Sequence, residues 1–424
     1  MKQIIGICIF TILMTVQIAV ATNGNNLISV GPVSRAMGGV GIAKPLDAIS
    51  AVFANPAAMC FGPYCPSSQF DFSGTLFMPK VETKIINPNG TFASKSNESI
   101  YAIPSIGFSV PVDFISSKMR FGLSAYGVSG LGVDYRDTVI DNPRYYTLPY
   151  PPPNNAAPIA TGEYTQLQIM KFAPSLAYQV MNNLSIGIAF HIGYGALDLR
   201  DGSSTGYSIG IQPGIIFKPS DCISLGLTYT SPQRITHEHV VDLDQNMKLD
   251  NLVLESPHQI GAGISFNSKN EEIIIETDIK WINWSNAEGY SDFDWEDQLV
   301  FAVGFQFKPS DNLMLRAGYN YGKNPVNEHD NFNGTAPTKV QGKNIASEYY
   351  YETFRLIGFP AIAEHHLTFG IGYQVTDRFL IDFGFVYAIE KTIKEKGTDL
   401  FGQPVELEST LSEKSLDFGL TWRF

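Results

Sequence analysis

The chain has 424 residues, of which 38 are Gly and only 17% are charged, and its mean hydropathy is −0.01. Beyond residue 20 there is no apolar run of about 18 residues or more, which excludes a polytopic helical membrane protein. The net charge of −12 and the scattered basic residues exclude a phosphate-binding surface, so nucleic acid is not an expected partner. Low charge also argues against disorder, and the many Phe, Tyr and Gly residues favour a β-rich protein.

The N-terminus has the features of a secretory signal peptide. Lys2 precedes a mostly apolar stretch from Ile4 to Ile18, and Ala19-Val20-Ala21 provides a small-x-small cleavage site. We expect residues 1–21 to be removed. The alternative is an N-terminal anchor helix, which the short apolar core and the lack of stop-transfer charges disfavour.

Two cysteines lie close together after this signal. Cys60 and Cys65 are separated by Phe-Gly-Pro-Tyr, and the Gly-Pro pair favours a turn that brings the two sulfurs together. An exported compartment permits a disulfide between them, but two buried thiols fit the sequence equally well.

From about residue 66 the apolar residues alternate with a period of two, which predicts β-strands. The clearest run places the following residues on one face: Leu184, Ile186, Ile188, Phe190, Ile192 and Tyr194. Such runs continue for about ten residues, which is longer than a typical soluble strand and sufficient for a tilted membrane-spanning strand.

Short turns alternate with longer polar segments between these runs. The tetrapeptide Lys-Pro-Ser-Asp occurs at 218–221 and again at 308–311, each time between two alternating runs. The longer segments are 80–99, 131–163, 197–206, 231–257, 283–297, 322–364 and 392–411. This alternation is typical of an outer-membrane barrel with short periplasmic turns and long extracellular loops.

The runs predict an all-β fold, a 14-stranded antiparallel transmembrane β-barrel over residues 66–424. The predicted strands are 66–79, 100–112, 118–130, 164–180, 184–196, 207–217, 223–230, 258–267, 272–282, 298–308, 313–321, 365–374, 379–391 and 412–424. The barrel must close because an open sheet edge in hydrocarbon leaves backbone amides unsatisfied. The last strand ends at Phe424, which resembles the signal that presents outer-membrane proteins to the barrel-assembly machinery.

Residues 22–65 differ from the rest of the chain. They contain a cluster of glycines followed by Asn55-Pro56-Ala57, and they are too long to be a simple tail. We expect this segment to fold into the barrel lumen as a hatch that plugs it.

Several motifs together resemble the FadL/TodX family of transporters for long-chain fatty acids and hydrocarbons. These motifs are Ser34–Gly41, Asn55–Ala57, Leu227–Pro232, Glu255–Gly261, Trp281–Ser285, Trp295–Asp297 and Phe305–Pro325. The resemblance implies a plugged barrel in the outer membrane of a Gram-negative bacterium, and a passive channel for hydrophobic compounds. The hatch residues that it implies are Arg35, Gly38, Gly39, Gly41, Asn55, Pro56 and Ala57.

The resemblance also implies lateral release through a kinked third strand. Gly127, Gly130 and Gly132 are the positions where such a kink would lie, because Gly interrupts strand pairing and permits bulges. The alternative is that these glycines only mark the end of the strand at the barrel rim.

A carboxylate cargo would need an inward-facing cation. The alternation places Arg316 and Lys280 inward, and both are candidates. Each could instead form an ion pair with Asp278, Asp382 or Glu276.

Other chemical motifs are weak. The run Asp242-x-Asp244-x-Asn246 with Asp250 lacks the glycine and the final glutamate of a calcium loop and is interpreted as a solvated loop. We predict no metal and no cofactor, and the chain lacks a Gly-x-Ser-x-Gly element, so an enzyme is not expected.

The main prediction is therefore a monomeric conduit with hydrophobic small molecules and outer-membrane lipid as its partners. Two other functions remain open at this stage. They are a surface adhesin or receptor that binds through long loops, and a general porin for polar solutes.

Overall fold

The computed structural model describes residues 22–60, 68–97, 100–141, 160–244 and 246–424. The predicted signal peptide and Cys65 lie outside the described residues, so both the cleavage and the Cys60–Cys65 disulfide stay predictions. Among the described residues, no helix has the length and apolar character needed to cross a membrane.

The N-terminal segment, residues 22–60, consists of short elements and is almost entirely buried. Its elements are β1 (Thr22–Asn23), β2 (Asn26–Leu27), α1 (Pro32–Ala36), α2 (Ala48–Ala54) and a 3-10 helix (Pro56–Cys60). Helix α2 begins after Asp47, whose carboxylate accepts a 2.6 Å hydrogen bond from the backbone N–H of Ser50.

Long strands dominate the remainder of the chain. They are β3 (Gln69–Phe77), β4 (Lys80–Asn87), β5 (Gly90–Lys95), β6 (Tyr101–Pro111), β7 (Met119–Asp134), β8 (Tyr164–Met181), β9 (Leu184–Leu199), β10 (Ser203–Ser220), β11 (Ile223–Thr230), β12 (Gln233–Val241), β13 (Asp250–Ser256), β14 (Gln259–Asn267), β15 (Ile273–Ile282), β16 (Gln298–Ser310), β17 (Leu313–Gly322), β18 (Asp330–Asn333), β19 (Thr338–Val340), β20 (Lys343–Ile345), β21 (His365–Thr376), β22 (Phe379–Thr398) and β23 (Pro404–Arg423). One longer helix, α3 (Glu348–Gly358), lies between β20 and β21.

Fourteen of these described strands form one closed antiparallel barrel. Their order around the barrel is β3, β6, β7, β8, β9, β10, β11, β14, β15, β16, β17, β21, β22 and β23. Strand β23 pairs with β3 from Ser415↔Phe77 to Arg423↔Gln69 and closes the ring. The predicted 14-stranded antiparallel barrel is confirmed, and β11 has the predicted boundaries.

The alternating residues lie on the two faces of the barrel wall. On β16 the side chains of Phe301, Val303 and Phe305 are 41–43% exposed on the outer face, whereas Ala302 between them is buried. An apolar outer face and a packed inner face explain why the mean hydropathy of the whole chain is near zero.

The long connections at one end of the barrel are more structured than the sequence predicted. The segment 80–99 contains the hairpin β4–β5, and 231–257 contains the hairpin β12–β13. Strand β4 also pairs with residues 406–412 of β23, and its side chains Val81 and Ile85 are buried. The interpretation of these segments as polar loops was therefore wrong, because their short apolar alternation is masked by Lys, Glu and Thr on the exposed face.

Candidate functional site

The N-terminal segment lies inside the barrel and is fixed to its wall by buried polar contacts. Arg35 is fully buried, and its Nε lies 2.9 Å from Oδ1 of Asp417 on β23. The same guanidinium donates to the Ser415 hydroxyl at 2.6 Å and to the carbonyl oxygen of Ser29 at 3.1 Å. A buried ion pair of this kind is stable only when both charges are satisfied by further hydrogen bonds, as they are here.

Two inward carboxylates of β15 hold the backbone of the segment. Asp278 accepts hydrogen bonds from the backbone N–H groups of Gly41 and Ile42 at 2.9 and 3.2 Å. Glu276 accepts from those of Ala43 and Lys44 at 2.7 and 3.1 Å. These carboxylates therefore position the N-terminal segment, which the sequence did not reveal because backbone donors carry no residue signature.

Glycines in the barrel wall allow the segment to approach closely. A Cβ atom added to Gly226 would lie 2.0 Å from the carbonyl oxygen of Ile42, and one added to Gly318 would lie 2.2 Å from the backbone nitrogen of Gly38. Gly38 and Gly39 themselves have φ values of +72° and +81°, which other residues rarely adopt. Part of the high glycine content therefore allows the N-terminal segment to pack directly against the barrel wall.

The Asn55-Pro56-Ala57 motif fixes the end of the segment. The side chain of Asn55 donates to the carbonyl oxygen of Ile42 at 2.8 Å and accepts from the backbone N–H of Ala57 at 3.1 Å. The Ser185 hydroxyl of β9 donates to the Ala57 carbonyl oxygen at 2.7 Å. The motif thereby joins two parts of the N-terminal segment to the barrel wall.

The third barrel strand, β7, has a break in its register with β8. Gly127 pairs with Met170 and Ser129 pairs with Ile169, so Val128 is an extra residue in β7. On the other side, the described pairing of β7 with β6 extends only to Tyr126↔Ser105, although β6 begins four residues earlier at Tyr101. The wall is therefore unpaired between residues 101–104 of β6 and the part of β7 that follows the break.

A cavity of about 320 Å³ lies at this unpaired stretch. Its lining includes Leu27, Tyr101, Ile103, Gly127, Gly130 and Gly132. Ile100 and Met170 at its margin are 65% and 41% exposed, so the cavity opens towards the outer face of the barrel. We call it the lateral cavity.

The N-terminal segment covers the inner side of the lateral cavity. Asn26 pairs with Ser129, and the backbone N–H of Gly130 donates to the carbonyl oxygen of Asn25 at 3.2 Å. Leu27 follows directly and contributes its side chain to the cavity lining. The edge of β7 that β6 leaves unpaired is thus capped by residues 25–27.

A second cavity, of about 60 Å³, lies in the lumen between the N-terminal segment and the wall. It is lined by apolar groups such as Phe53 and Val128, by several asparagine, glutamine and threonine side chains, and by the cationic side chains Lys171 and Lys280. Among the described residues, neither ammonium has a carboxylate oxygen within 4.0 Å, although Lys280 donates to the carbonyl oxygen of Ile28 at 3.2 Å. We call this space the lumen cavity.

Arg316, the other predicted cation, is engaged within the wall. It lies 2.6 Å from Asp382 and donates to Gln306 at 2.7 Å. It lines a separate cavity of about 80 Å³ near the short turns, together with Lys44 and Asp47. Arg316 and Lys280 therefore line different cavities. Lys171, which was not predicted from the sequence, lines the lumen cavity together with Lys280.

The remaining predicted residues lie at the end with the short turns. Cys60 is buried and its thiol donates to the carbonyl oxygen of Lys118 at 3.5 Å. Phe424 donates its backbone N–H to the carbonyl oxygen of Ser68 at 3.1 Å, and its ring stacks near Phe108 with centroids 6.3 Å apart.

A family model decides the relationship of this chain to known proteins. The model of the outer membrane protein transport proteins (OMPP1/FadL/TodX) matches residues 11–204 and 196–333. The chain belongs to this family. The resemblance inferred from its motifs is thereby confirmed. Members of the FadL/TodX family are outer-membrane transport proteins and not enzymes, so the assignment to transport is confirmed as well.

Solved structures of family members share the fold. The toluene transporter TodX of Pseudomonas putida is 16% identical, with a TM-score of 0.64 over 93% of this chain and 99% of that chain. A FadL homologue of Pseudomonas aeruginosa is 14% identical, with a TM-score of 0.63 over 96% and 99%. The toluene transporter TbuX of Ralstonia pickettii is 17% identical, with a TM-score of 0.59 over 93% and 98%. No curated protein matches the chain.

Proposed function

We propose that this FadL/TodX family member is a channel in the outer membrane of a Gram-negative bacterium for passive uptake of hydrophobic compounds. Cargo enters the lumen cavity and leaves sideways through the lateral cavity. The observation that supports the proposal is that the two cavities adjoin, with Leu27 in the lining of both of them. Val128 lines the lumen cavity, while its neighbours Gly127 and Ser129 line the lateral cavity.

Lateral release has a direct physical reason. A long acyl chain loses about 0.8 kcal/mol for every methylene that leaves an apolar environment for water. An exit into the periplasm would expose the whole chain to water, whereas an exit between β6 and β7 leads through the lateral cavity into lipid. Because residues 101–104 of β6 are unpaired towards β7, few ladder hydrogen bonds have to break for cargo to pass.

Residues 22–65 act as the hatch in this proposal. The described part of the segment covers the inner side of the lateral cavity with residues 25–27 and fills the lumen with α1 and α2. Cargo that reaches the lumen cavity must displace Leu27 to continue. The short elements of the segment suit it to local rearrangement.

We infer that the cargo is a long-chain carboxylic acid, whose carboxylate reaches the lumen cavity. Lys171 and Lys280 line a space whose lining also includes Phe53, Tyr126 and Val128. A fatty acid supplies a carboxylate for the two ammonium groups and an apolar chain that can contact the apolar side chains of the lining. An uncharged hydrocarbon would contact only the apolar side chains of the lumen cavity and would offer nothing to the two ammonium groups.

The proposal also covers the oligomeric state of the protein, its assembly and its lipid surroundings. The protein works as a monomer without a cofactor, and its C-terminal Phe424 presents it to the barrel-assembly machinery. Outer-membrane lipid surrounds the apolar outer face and receives the cargo.

Uptake of labelled oleate by cells that contain the protein tests the proposal. The variant Gly127→Leu places a side chain in the lateral cavity, where even a Cβ would lie 2.4 Å from Cγ2 of Ile103. The matched control is Gly74→Leu on β3, where an added Cβ meets no atom within 4 Å. We expect uptake to fall in Gly127→Leu and to stay at the wild-type level in Gly74→Leu, with both barrels equally heat-resistant.

Two outcomes would contradict the proposal. Equal uptake by Gly127→Leu and the wild type would exclude the lateral cavity as the exit. A large and steady ionic conductance in planar bilayers would instead support a general porin for polar solutes.

A further inference from the structure

Three aspartates converge at the turn of the β12–β13 hairpin, among the long connections of the barrel. Carboxylate oxygens of Asp242, Asp244 and Asp250 all lie within 4.8 Å of one another. Asp250 begins β13 and the other two follow the end of β12, so the group joins the two strands of the hairpin.

Two of these carboxylate oxygens are buried without a hydrogen-bond partner among the described residues. The Asp250 side chain is only 10% exposed, and while its Oδ1 lies 2.6 Å from Nζ of Lys343, its Oδ2 is inaccessible and unpaired. Oδ1 of Asp244 is likewise inaccessible and unpaired. Leaving anionic oxygens buried and unpaired is costly, so this arrangement favours a bound cation.

Within the part of the chain that the structure describes, the one ammonium in ion-pair contact with these aspartates, that of Lys343, does not balance their charge. Three carboxylates against Lys343 leave two formal negative charges. The orientation of Asp242 is also fixed, because its two oxygens accept hydrogen bonds from the backbone N–H groups of Asn246 at 3.0 Å and Met247 at 2.8 Å. The carboxylates are thus held together before any ion arrives.

We propose that Asp242, Asp244 and Asp250 bind a calcium ion. Carboxylate oxygens are hard donors that favour Ca²⁺ over the softer transition metals. The sequence suggested a solvated loop because the glycine and final glutamate of an EF-hand are missing, but the structural ligand set does not require those positions. With three protein carboxylates and water completing the shell, we expect the weak affinity of extracellular modules, with Kd on the order of 10⁻⁴ to 10⁻³ M.

The ion would stabilise a hairpin that packs onto the barrel mouth. Ile235, His237 and Leu252 of β12 and β13 are buried, and Ile235 would lie 2.7 Å and 2.6 Å from Cβ atoms added to Gly195 and Gly206 of the wall. Calcium at the turn joins the end of β12 to the start of β13 and so holds these contacts in place.

Terbium luminescence on the full-length protein in detergent tests the proposal. Terbium replaces calcium at oxygen sites, and we expect one saturable site from which Ca²⁺ displaces it. Asp244→Asn and Asp250→Asn should each weaken calcium binding about tenfold or more, because each removes an anionic ligand. The control is Asp377→Asn, at an exposed aspartate in the β21–β22 turn.

A second readout follows the hairpin itself. Calcium should slow proteolysis between residues 241 and 250 in the wild type and in Asp377→Asn, and should have a much smaller effect at the same calcium concentration in the two ligand variants. Absence of a saturable terbium site in the heat-resistant wild-type barrel would overturn the proposal. Unchanged calcium affinity in both ligand variants would overturn it as well.

Discussion

The Ser129 hydroxyl donates a 3.0 Å hydrogen bond to the carbonyl oxygen of Asn25, which joins the N-terminal segment to β7 directly beside the break in its register. The neighbouring residue Asn26 is the β-bridge partner of the same serine. The N-terminal segment therefore occupies the strand edge that β6 leaves unpaired. In the proposed mechanism, this contact must separate for cargo to pass.

A reversible crosslink at this contact should close the channel. Asn26→Cys together with Ser129→Cys places two thiols at facing positions of an antiparallel pair, where Cβ atoms are close enough for a disulfide. We expect oleate uptake to fall after oxidation and to recover after reduction. Uptake is measured on the same cells before and after each treatment.

The single variants are the controls for this crosslink, and both should be insensitive to the oxidant. Wild-type cells under the same oxidant report any effect of Cys60, Cys65 and Cys222. Full uptake by a protein whose crosslink is verified by mass spectrometry would show that residues 25–27 need not move.

Arg35 should determine whether the N-terminal segment stays in the lumen. Arg35→Leu leaves the fully buried Asp417 carboxylate without its cation, and breaking a buried pair in this way costs about 3–5 kcal/mol. Because the barrel ladder is untouched, we expect the segment to loosen while the barrel stays heat-resistant. Hydrogen exchange within residues 22–60 measures the loosening.

Removal of both charges separates this effect from lost packing. Arg35→Leu combined with Asp417→Asn no longer buries an unpaired charge, so protection of residues 22–60 should return in large part. The surface variant Arg378→Leu should exchange like the wild type. Equal exchange in Arg35→Leu and the wild type would mean that Asp278 and Glu276 hold the segment without Arg35.

The strands were predictable from the sequence because each one has a lipid-facing and an inward face. The alternation on β11 and β16 follows directly from that geometry, and the tight turns carry Pro and Asp. The hairpins β4–β5 and β12–β13 were missed because their strands lie beyond the apolar belt, where one exposed face carries charged and polar residues.

The composition of the lumen cavity was not predictable in the same way. Lys171 and Lys280 are 109 positions apart, and only the closed barrel with its inner segment brings both to one cavity. The sequence signal for both residues is an inward lysine within an alternating run, and the sequence prediction named Lys280 alone. Asp278 and Glu276 were predicted only as possible partners for cations, and the structure adds that they accept backbone N–H groups of residues 41–44.

Lys171 should distinguish acidic from neutral cargo. Lys171→Met keeps the length of the side chain but removes the ammonium from the lumen cavity. A hydrogen bond to a charged group contributes about 1.5–3 kcal/mol, so the half-saturating oleate concentration should rise about tenfold or more. Uptake of toluene, which carries no charge, should not change.

The exposed Lys269 in the β14–β15 turn provides the matched control, and Lys269→Met should behave like the wild type for both compounds. If Lys171→Met reduced the uptake of toluene and oleate equally, the lysine would be needed for the shape of the cavity. The proposed preference of the channel for cargo with a carboxylate would then be wrong.

The last prediction concerns pH and the long connections. His329 lies between two carboxylates from different segments, with Nδ1 2.7 Å from Glu352 of α3 and Nε2 2.7 Å from Asp294. Its hydrogen bond with Glu352 raises the pKa of His329 above the ordinary 6.5, although partial burial and the nearby Arg355 act in the opposite direction. Its backbone N–H also donates to Glu395 at 3.0 Å.

Because the folded pKa is raised, protonated His329 stabilises these contacts below pH 6.5, and this stabilisation is lost as the pH rises through the raised value. We therefore expect hydrogen exchange in residues 323–364 to be faster at about pH 8.5 than at about pH 5.5, after correction for intrinsic rates. His329→Gln should remove most of this difference, whereas His239→Asn, at an exposed histidine, should keep it. The same pH dependence in His329→Gln would mean that another titrating group controls this connection.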